Sequence, residues 1–110
     1  MRNFYTANLD TYLDIEKEYA TEPYEAAWAS EALFFIRVDK APKDAKGFSA
    51  AVQISVDGIT WVDEGAHFEN VSGEGDYFVR VRHFGGWLRL KGTLPEDEKY
   101  TVTTYLVLKE

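Results

Sequence analysis

The 110-residue chain is 45% hydrophobic and 15% aromatic, which suits one domain with a packed core and argues against disorder. It contains no cysteine, so disulfides, thiolate metal sites and cysteine nucleophiles are excluded. A net charge of −7 argues against a nucleic-acid partner, because binding phosphates requires a basic surface. The sequence has neither an apolar run of about 18 residues nor an apolar N-terminal signal segment. We therefore expect no membrane partner and synthesis in the cytoplasm.

The charges are unevenly distributed along the chain. Residues 1–25 carry two basic and six acidic side chains, whereas residues 76–91 carry four basic side chains and one acidic side chain. This asymmetry predicts a basic surface with an acidic partner, either elsewhere in the same chain or in another molecule.

The first third of the chain gives mixed signals about its structure. We predict an acidic N-terminal arm of about residues 1–25 on a single β-sandwich domain that spans residues 1–110. Residues 25–33 have helical propensity, but residues 33–38 are aromatic and β-branched, which is typical of a strand. We predict residues 27–38 mainly as one long strand, and it stays open whether residues 1–32 form strand, helix or arm.

Residues 48–56 alternate between apolar and polar side chains, which predicts a half-buried strand. The Asp57-Gly58 pair that follows suits a two-residue type I′ hairpin turn. Such a turn would place Ile54 opposite Trp61, with both side chains in the core.

We predict that residues 63–76 form a loop. This segment contains five side chains with oxygen atoms that calcium could bind, but they lack the order of an EF-hand loop. We expect a solvated acidic loop and no metal site, although calcium binding stays open. The five residues are Glu64, Glu69, Asn70, Glu74 and Asp76.

Two further alternating segments, residues 77–84 and 87–91, flank the Gly85-Gly86 pair, and residues 100–108 form a closing strand. A two-residue turn at the glycines would pair Phe84 with Trp87, Arg82 with Arg89, and Arg80 with Lys91. Like charges would then lie opposite each other on one face, which destabilises a sheet unless a partner neutralises them.

Three interpretations of this face stay open. The basic side chains could extend into water or pair with the acidic N-terminal segment, they could form an assembly interface, or they could bind an anionic or sugar ligand. The predicted interface or ligand face comprises Arg80, Arg82, Phe84, Trp87, Arg89 and Lys91.

The sequence offers no catalytic constellation, and we predict no enzyme and no cofactor. His67 and His83 are the only histidines, and neither has the spacing of a metal or catalytic pair. The serines lack a nucleophile-elbow context, and no glycine-rich phosphate loop precedes a helix.

Short strands with turn signals about every 8–12 residues predict an all-β antiparallel β-sandwich of jelly-roll type with seven to eight strands. Residues 55–61 (SVDGITW), 78–82 (FVRVR) and 106–108 (LVL) carry a family pattern. It resembles small β-sandwich domains in which an S-x-D-G-x-x-W hairpin precedes an arginine-containing strand. Discoidin-type carbohydrate- or membrane-binding domains carry such a hairpin, as do uncharacterised proteins of bacteriophage particles. The resemblance implies a fold and no site.

The absence of cysteine and of a signal segment favours the phage-particle group. We therefore expect a non-catalytic structural or assembly protein, as part of a phage-type particle, that forms a homo-oligomer or docks on a larger protein assembly. The alternative is a carbohydrate-binding module that uses Trp87 and other exposed aromatic residues. A small hydrolase or isomerase is the remote alternative.

Overall fold

A computed structural model describes residues 4–82 and 85–110. These residues form strands and loops without any helix, so the all-β expectation is confirmed. The strands are β1 (Phe4–Glu16), β2 (Glu18–Ala20), β3 (Tyr24–Glu25), β4 (Glu31–Lys40), β5 (Phe48–Ser55), β6 (Val62–Val71), β7 (Gly75–Val81), β8 (Trp87–Thr93) and β9 (Lys99–Lys109).

The strands form two antiparallel layers. Sheet 1 has the order β1-β9-β4-β7 and sheet 2 the order β2-β8-β5-β6, with β3 also paired to β8. A single bridge, Glu16 to Glu18, joins the sheets where the chain turns at Lys17, whose φ is 62°. When the short strand β3 is left aside, each connection between consecutive strands passes from one sheet to the other. The exception is the β5–β6 connection, which stays within sheet 2. This is the strand order of a jelly-roll sandwich, so the predicted fold class is confirmed.

The core lies between the sheets and follows from alternation in each strand. In β9, Val102, Leu106 and Leu108 point inward, and in β8 Leu88 and Leu90 do the same; all five are fully buried. The molecule measures 44 × 30 × 19 Å, and its smallest dimension suits two sheets about 10 Å apart with one layer of side chains outside each. Each sheet therefore leaves one face to solvent.

The predicted Asp57-Gly58 hairpin turn is wrong. Ile54 pairs with Val62, not with Trp61, so the β5–β6 loop runs over residues 56–61. The carboxylate of Asp57 accepts hydrogen bonds from two later backbone N–H groups of the loop, at 2.8 and 3.0 Å, and this widens the turn. As a result Trp61 lies half-buried outside the core, contrary to expectation.

The predicted hairpin at Gly85-Gly86 is also wrong. Strand β7 pairs with β4 in sheet 1, whereas β8 pairs with β2, β3 and β5 in sheet 2. Gly86 has φ 87°, and a Cβ there would lie 2.6 Å from the carbonyl oxygen of Ser55. Glycine is therefore needed for the close approach of two backbones rather than for a hairpin. Residues 83–84, which include the predicted site residue Phe84, lie outside the described residues.

The predicted acidic loop over residues 63–76 is mostly strand, because β6 and β7 leave only residues 72–74 between them. The pairing of β6 with β5 shifts register twice, so its buried and exposed positions do not alternate regularly. The sequence left open whether residues 1–32 form strand, helix or arm. Most of the described residues in this range form strands. Residues 4–20 supply β1 and β2, and the expected strand at residues 27–38 begins at Glu31.

Candidate functional site

The predicted basic face is divided between two opposite surfaces of the sandwich. Arg80 and Arg82 lie at the β7 side of sheet 1, whereas Trp87, Arg89 and Lys91 lie on sheet 2. The alternation of each strand is as predicted, since Val81, Leu88 and Leu90 point to the core. The predicted pairings across the glycines are wrong, because the two strands belong to different sheets.

On sheet 2, Arg89 is bound by its own neighbours. Its Nε donates to the side-chain oxygen of Gln53 at 2.8 Å, and the Gln53 amide donates to Asp63 at 3.0 Å. The guanidinium carbon lies 4.3 Å from the ring centroid of Trp61, in cation–π geometry. This chain of contacts holds the guanidinium group of Arg89 against Gln53 and Trp61.

The other two site residues on sheet 2 are positioned differently. A Cβ at Gly58 would lie 3.2 Å from Cε2 of Trp87, so the β5–β6 loop covers part of the indole ring. Lys91 is exposed and lies between Ala51 and Ala20 on the neighbouring strands.

On sheet 1, a groove of about 430 Å³ crosses β9, β4 and β7. Leu33 lies between Val107 and Arg80 in the strand register, so the groove has an aliphatic floor next to a guanidinium group. Arg82 and Lys109 complete its basic rim, and Glu31 adds one acid. We call Leu33, Arg80, Arg82, Val107 and Lys109 the basic groove.

An aromatic row continues the outer face of sheet 1 beyond the basic groove. Phe35 lies between Tyr105 and Phe78 in the register, and its ring centroid is 5.7 Å from that of Phe78. Arg80 lies over the Phe78 ring at 5.3 Å. Phe78 is 50% exposed, which is high for a phenylalanine in the middle of a strand.

The aromatic row ends at an ion pair. Arg37 donates from Nε to Asp76 at 2.8 Å, and this hydrogen bond raises the pKa of the guanidinium group. The pair also orients Asp76 on β7, two positions before Phe78.

A second groove, of about 690 Å³, separates the edge strands β6 and β7. It is lined by residues 67–70 and 76–79. The two strands are consecutive in the chain but belong to different sheets, and the sheet order ends at each of them. Each sheet therefore has an edge on this side of the sandwich.

Two buried polar clusters hold loops and strands together. The Glu98 carboxylate accepts hydrogen bonds from the Lys46 N–H at 2.8 Å and from the Tyr100 hydroxyl at 2.7 Å. These bonds lower the pKa of Glu98, with the backbone bond first in importance. Burial, followed by the bond to Glu98, raises the pKa of Tyr100 to about 12. The cluster ties residues 46–47 to the start of β9.

The second cluster lies where β1 shifts register against β9. The Tyr19 hydroxyl contacts Thr104 and donates to Asp10 at 3.2 Å. Burial raises the pKa of Asp10, and burial likewise raises that of Tyr19. Neither cluster lines the two grooves described above, so both act as structural connections.

Within residues 4–82 and 85–110, no three His, Asp or Glu side chains lie where they could hold one ion together. The same ranges contain no helix with the length and hydropathy needed to cross a bilayer.

Sequence reasoning missed Leu33, Val107 and Lys109. Alternation in β4 and β9 could have shown that these side chains point outward. It could not have shown that they adjoin Arg80, because neighbouring strands in this fold are distant in sequence.

Neither a protein-family model nor a curated protein matches the sequence. Among solved structures, the chain is similar to the PBSX exported protein XepA, with a TM-score of 0.70 and 13% identity over 94% of this chain and 36% of XepA. It is also similar to the SPBc2 prophage-derived protein YomS, with a TM-score of 0.69 and 6% identity over 100% of this chain and 96% of YomS. The chain thus spans little more than a third of XepA but nearly the whole of YomS. The expected likeness to phage-derived proteins is confirmed at the level of the fold.

Proposed function

We propose that the chain is a non-catalytic assembly protein of a phage-type particle, acting as a single sandwich domain. The observation that carries this proposal is the basic groove on the outer face of sheet 1. It combines an aliphatic floor with three cations and one acid, Glu31, whereas catalytic sites are built from convergent polar groups.

The chemistry of the basic groove selects an acidic protein surface as its partner. Leu33 and Val107 provide apolar area, and Lys109 and the two arginines provide the charge that aligns a partner. The aromatic row beside the groove extends the same face with Phe35 and Phe78. Aromatic residues and arginine are enriched where protein interfaces concentrate their binding energy.

The fold supports the same proposal. XepA and YomS share the sandwich, and one is named as an exported protein of PBSX and the other as a prophage-derived protein. We extend this phage association to the present chain, with the particle as its final location.

The proposal keeps one half of the face predicted from sequence. Arg80 and Arg82 belong to the docking surface, whereas Arg89 is bound by Gln53 and Trp61. The carbohydrate alternative relied on Trp87 and other exposed aromatic residues, and the Trp87 ring is partly covered by the Gly58 loop. We therefore favour a protein partner over a sugar.

The test is to induce particle production in cells that encode the chain, purify the particles on a density gradient and measure the bound protein. We expect the protein in the particle fraction and expect Lys109→Glu to reduce it about tenfold, since the substitution reverses charge at the basic groove. Lys91→Glu is the matched control: it makes the same change at an exposed position on sheet 2.

Particles without the protein would overturn the proposed function. An equal loss with Lys91→Glu would show that total charge, and not the basic groove, determines incorporation.

A further inference from the structure

Strand β7 is a regular edge strand. Its seven residues pair with β4 in unbroken register from Ala32–Val81 to Val38–Gly75, and the sheet order ends at β7. Such an edge presents backbone N–H and C=O groups on its outer side and can accept another strand. The opposite edge, β6, differs because its pairing with β5 shifts register twice, whereas the pairing of β7 with β4 has no shift. Bulges of this kind discourage edge pairing.

The charged residues on the two sides of Phe78 have opposite signs: acidic residues precede it and basic residues follow it at the same spacing. Two residues before and after Phe78 stand Asp76 and Arg80, and four residues before and after stand Glu74 and Arg82. Phe78 is also the midpoint of the strand, which runs over Gly75–Val81. Alternation places Asp76, Phe78 and Arg80 on one face of the strand. Glu74 and Arg82 flank it just beyond its two ends, and all five side chains are exposed.

We propose that a second copy of the chain pairs with β7 in antiparallel orientation, with Phe78 on the two-fold axis. In this register Phe78 opposes Phe78 of the second copy, Asp76 opposes Arg80, and Glu74 opposes Arg82. Each pair occurs twice because the axis is two-fold. Sheet 1 of both copies becomes one eight-stranded sheet. This inference rests on the proposed assembly function and names its self-association surface.

The register is favoured by both its charges and its apolar contacts. Four opposite-charge pairs form across the axis, and directly opposed pairs of opposite sign stabilise a sheet. Asp76 would then lie between Arg37 of its own chain, at 2.8 Å, and Arg80 of the second copy. The two Phe78 rings would extend the aromatic row of Phe35 and Tyr105 across the axis. A slip by two residues keeps only two opposite-charge pairs, Asp76 with Arg82 or Glu74 with Arg80, and moves Phe78 off the two-fold axis.

A charge-swap series measured by sedimentation equilibrium at low salt tests the register. Glu74→Arg turns two attractive pairs into two repulsive ones, and Arg82→Glu does the same. We expect either single variant to weaken dimerisation about tenfold. The double variant Glu74→Arg/Arg82→Glu restores opposite charges at both pairs and should regain wild-type dimerisation. Thermal melting at these exposed positions checks that each variant folds.

A cysteine pair tests the axis directly, because the chain has no cysteine of its own. Phe78→Cys places two thiols opposite each other, within the Cα separation that a disulfide spans, so oxidation should give a covalent dimer. In the control, Arg80→Cys, the two thiols stand about 14 Å apart along the paired strands and should not cross-link.

Several outcomes would overturn the pairing: a monomer at all concentrations, a double swap as weak as the singles, or equal cross-linking of both cysteine variants. The proposed function fails separately. A dimer that is absent from particles contradicts only the particle role, and a monomer found in particles contradicts only the pairing.

Discussion

The two outer faces of the sandwich both carry arginine and tryptophan or phenylalanine, yet they use them differently. On sheet 2, Arg89 contacts Gln53 and the Trp61 ring, and the loop at Gly58 covers part of Trp87. On sheet 1, Arg80 also lies over an aromatic ring, that of Phe78 at 5.3 Å, but this ring is half exposed and Arg80 lines a groove with Lys109. An arginine-rich strand therefore does not by itself mark an interface. The side chains on its neighbouring strands decide whether the charge is used internally.

The largest effect should come from the core that both faces share. Leu106 of sheet 1 and Leu90 of sheet 2 are each fully buried. Replacing either by Ala should lower the free energy of unfolding by about 2–5 kcal/mol, because a cavity is left between the sheets. Urea unfolding followed by circular dichroism and by tryptophan emission measures this loss. If the two signals separated in either variant, the sheets would not share one cooperative core.

An intermediate effect should distinguish the two faces. Arg89→Ala removes the cation–π contact with Trp61 and the bond to Gln53, and should cost about 1–2 kcal/mol. Arg82→Ala, at an exposed position on the other face, should change the stability of the monomer by less than about 0.5 kcal/mol, measured at a protein concentration below that of dimerisation. Equal losses in chemical denaturation would contradict the contrast between the faces. A change in tryptophan emission should accompany only the Arg89 variant.

The alternation of apolar and polar residues predicted the fold class and the buried positions of most strands, because successive side chains of a strand point to opposite faces of the sheet. It correctly placed Val81 and Leu90 towards the core and Arg80 outward. It could not give strand neighbours, since the jelly-roll order brings β7 next to β4 and not next to β8. The basic groove is formed by residues of these neighbouring strands, so the sequence predicted only its two arginines as site residues.

The Asp57-Gly58 and Gly85-Gly86 segments show why turn signals predicted the wrong strand pairing. Both segments contain glycine with positive φ, as a hairpin turn requires, but Gly58 lies under Trp87 and Gly86 lies against the backbone at Ser55. Glycine at these two positions therefore allows two parts of the structure to approach each other closely. A sequence alone does not distinguish this use from a two-residue hairpin.

The smallest effect concerns the Glu98 cluster, which connects two of the loops that cross between the sheets. Because hydrogen bonds to Lys46 N–H and Tyr100 lower its pKa, Glu98 is bound more favourably as a carboxylate in the folded state. Its contribution is present above its unfolded-state pKa and is lost as the pH falls through the lower folded-state value. Glu98→Gln should therefore reduce the steepness with which the melting temperature falls between about pH 5 and pH 3.

Asp97→Asn is the matched control for this acid dependence, because it removes the same charge from an exposed neighbouring position. If both variants changed the slope equally, the effect would come from net charge and not from the cluster. A selective change with Glu98→Gln would instead show that the loop connection weakens on acidification.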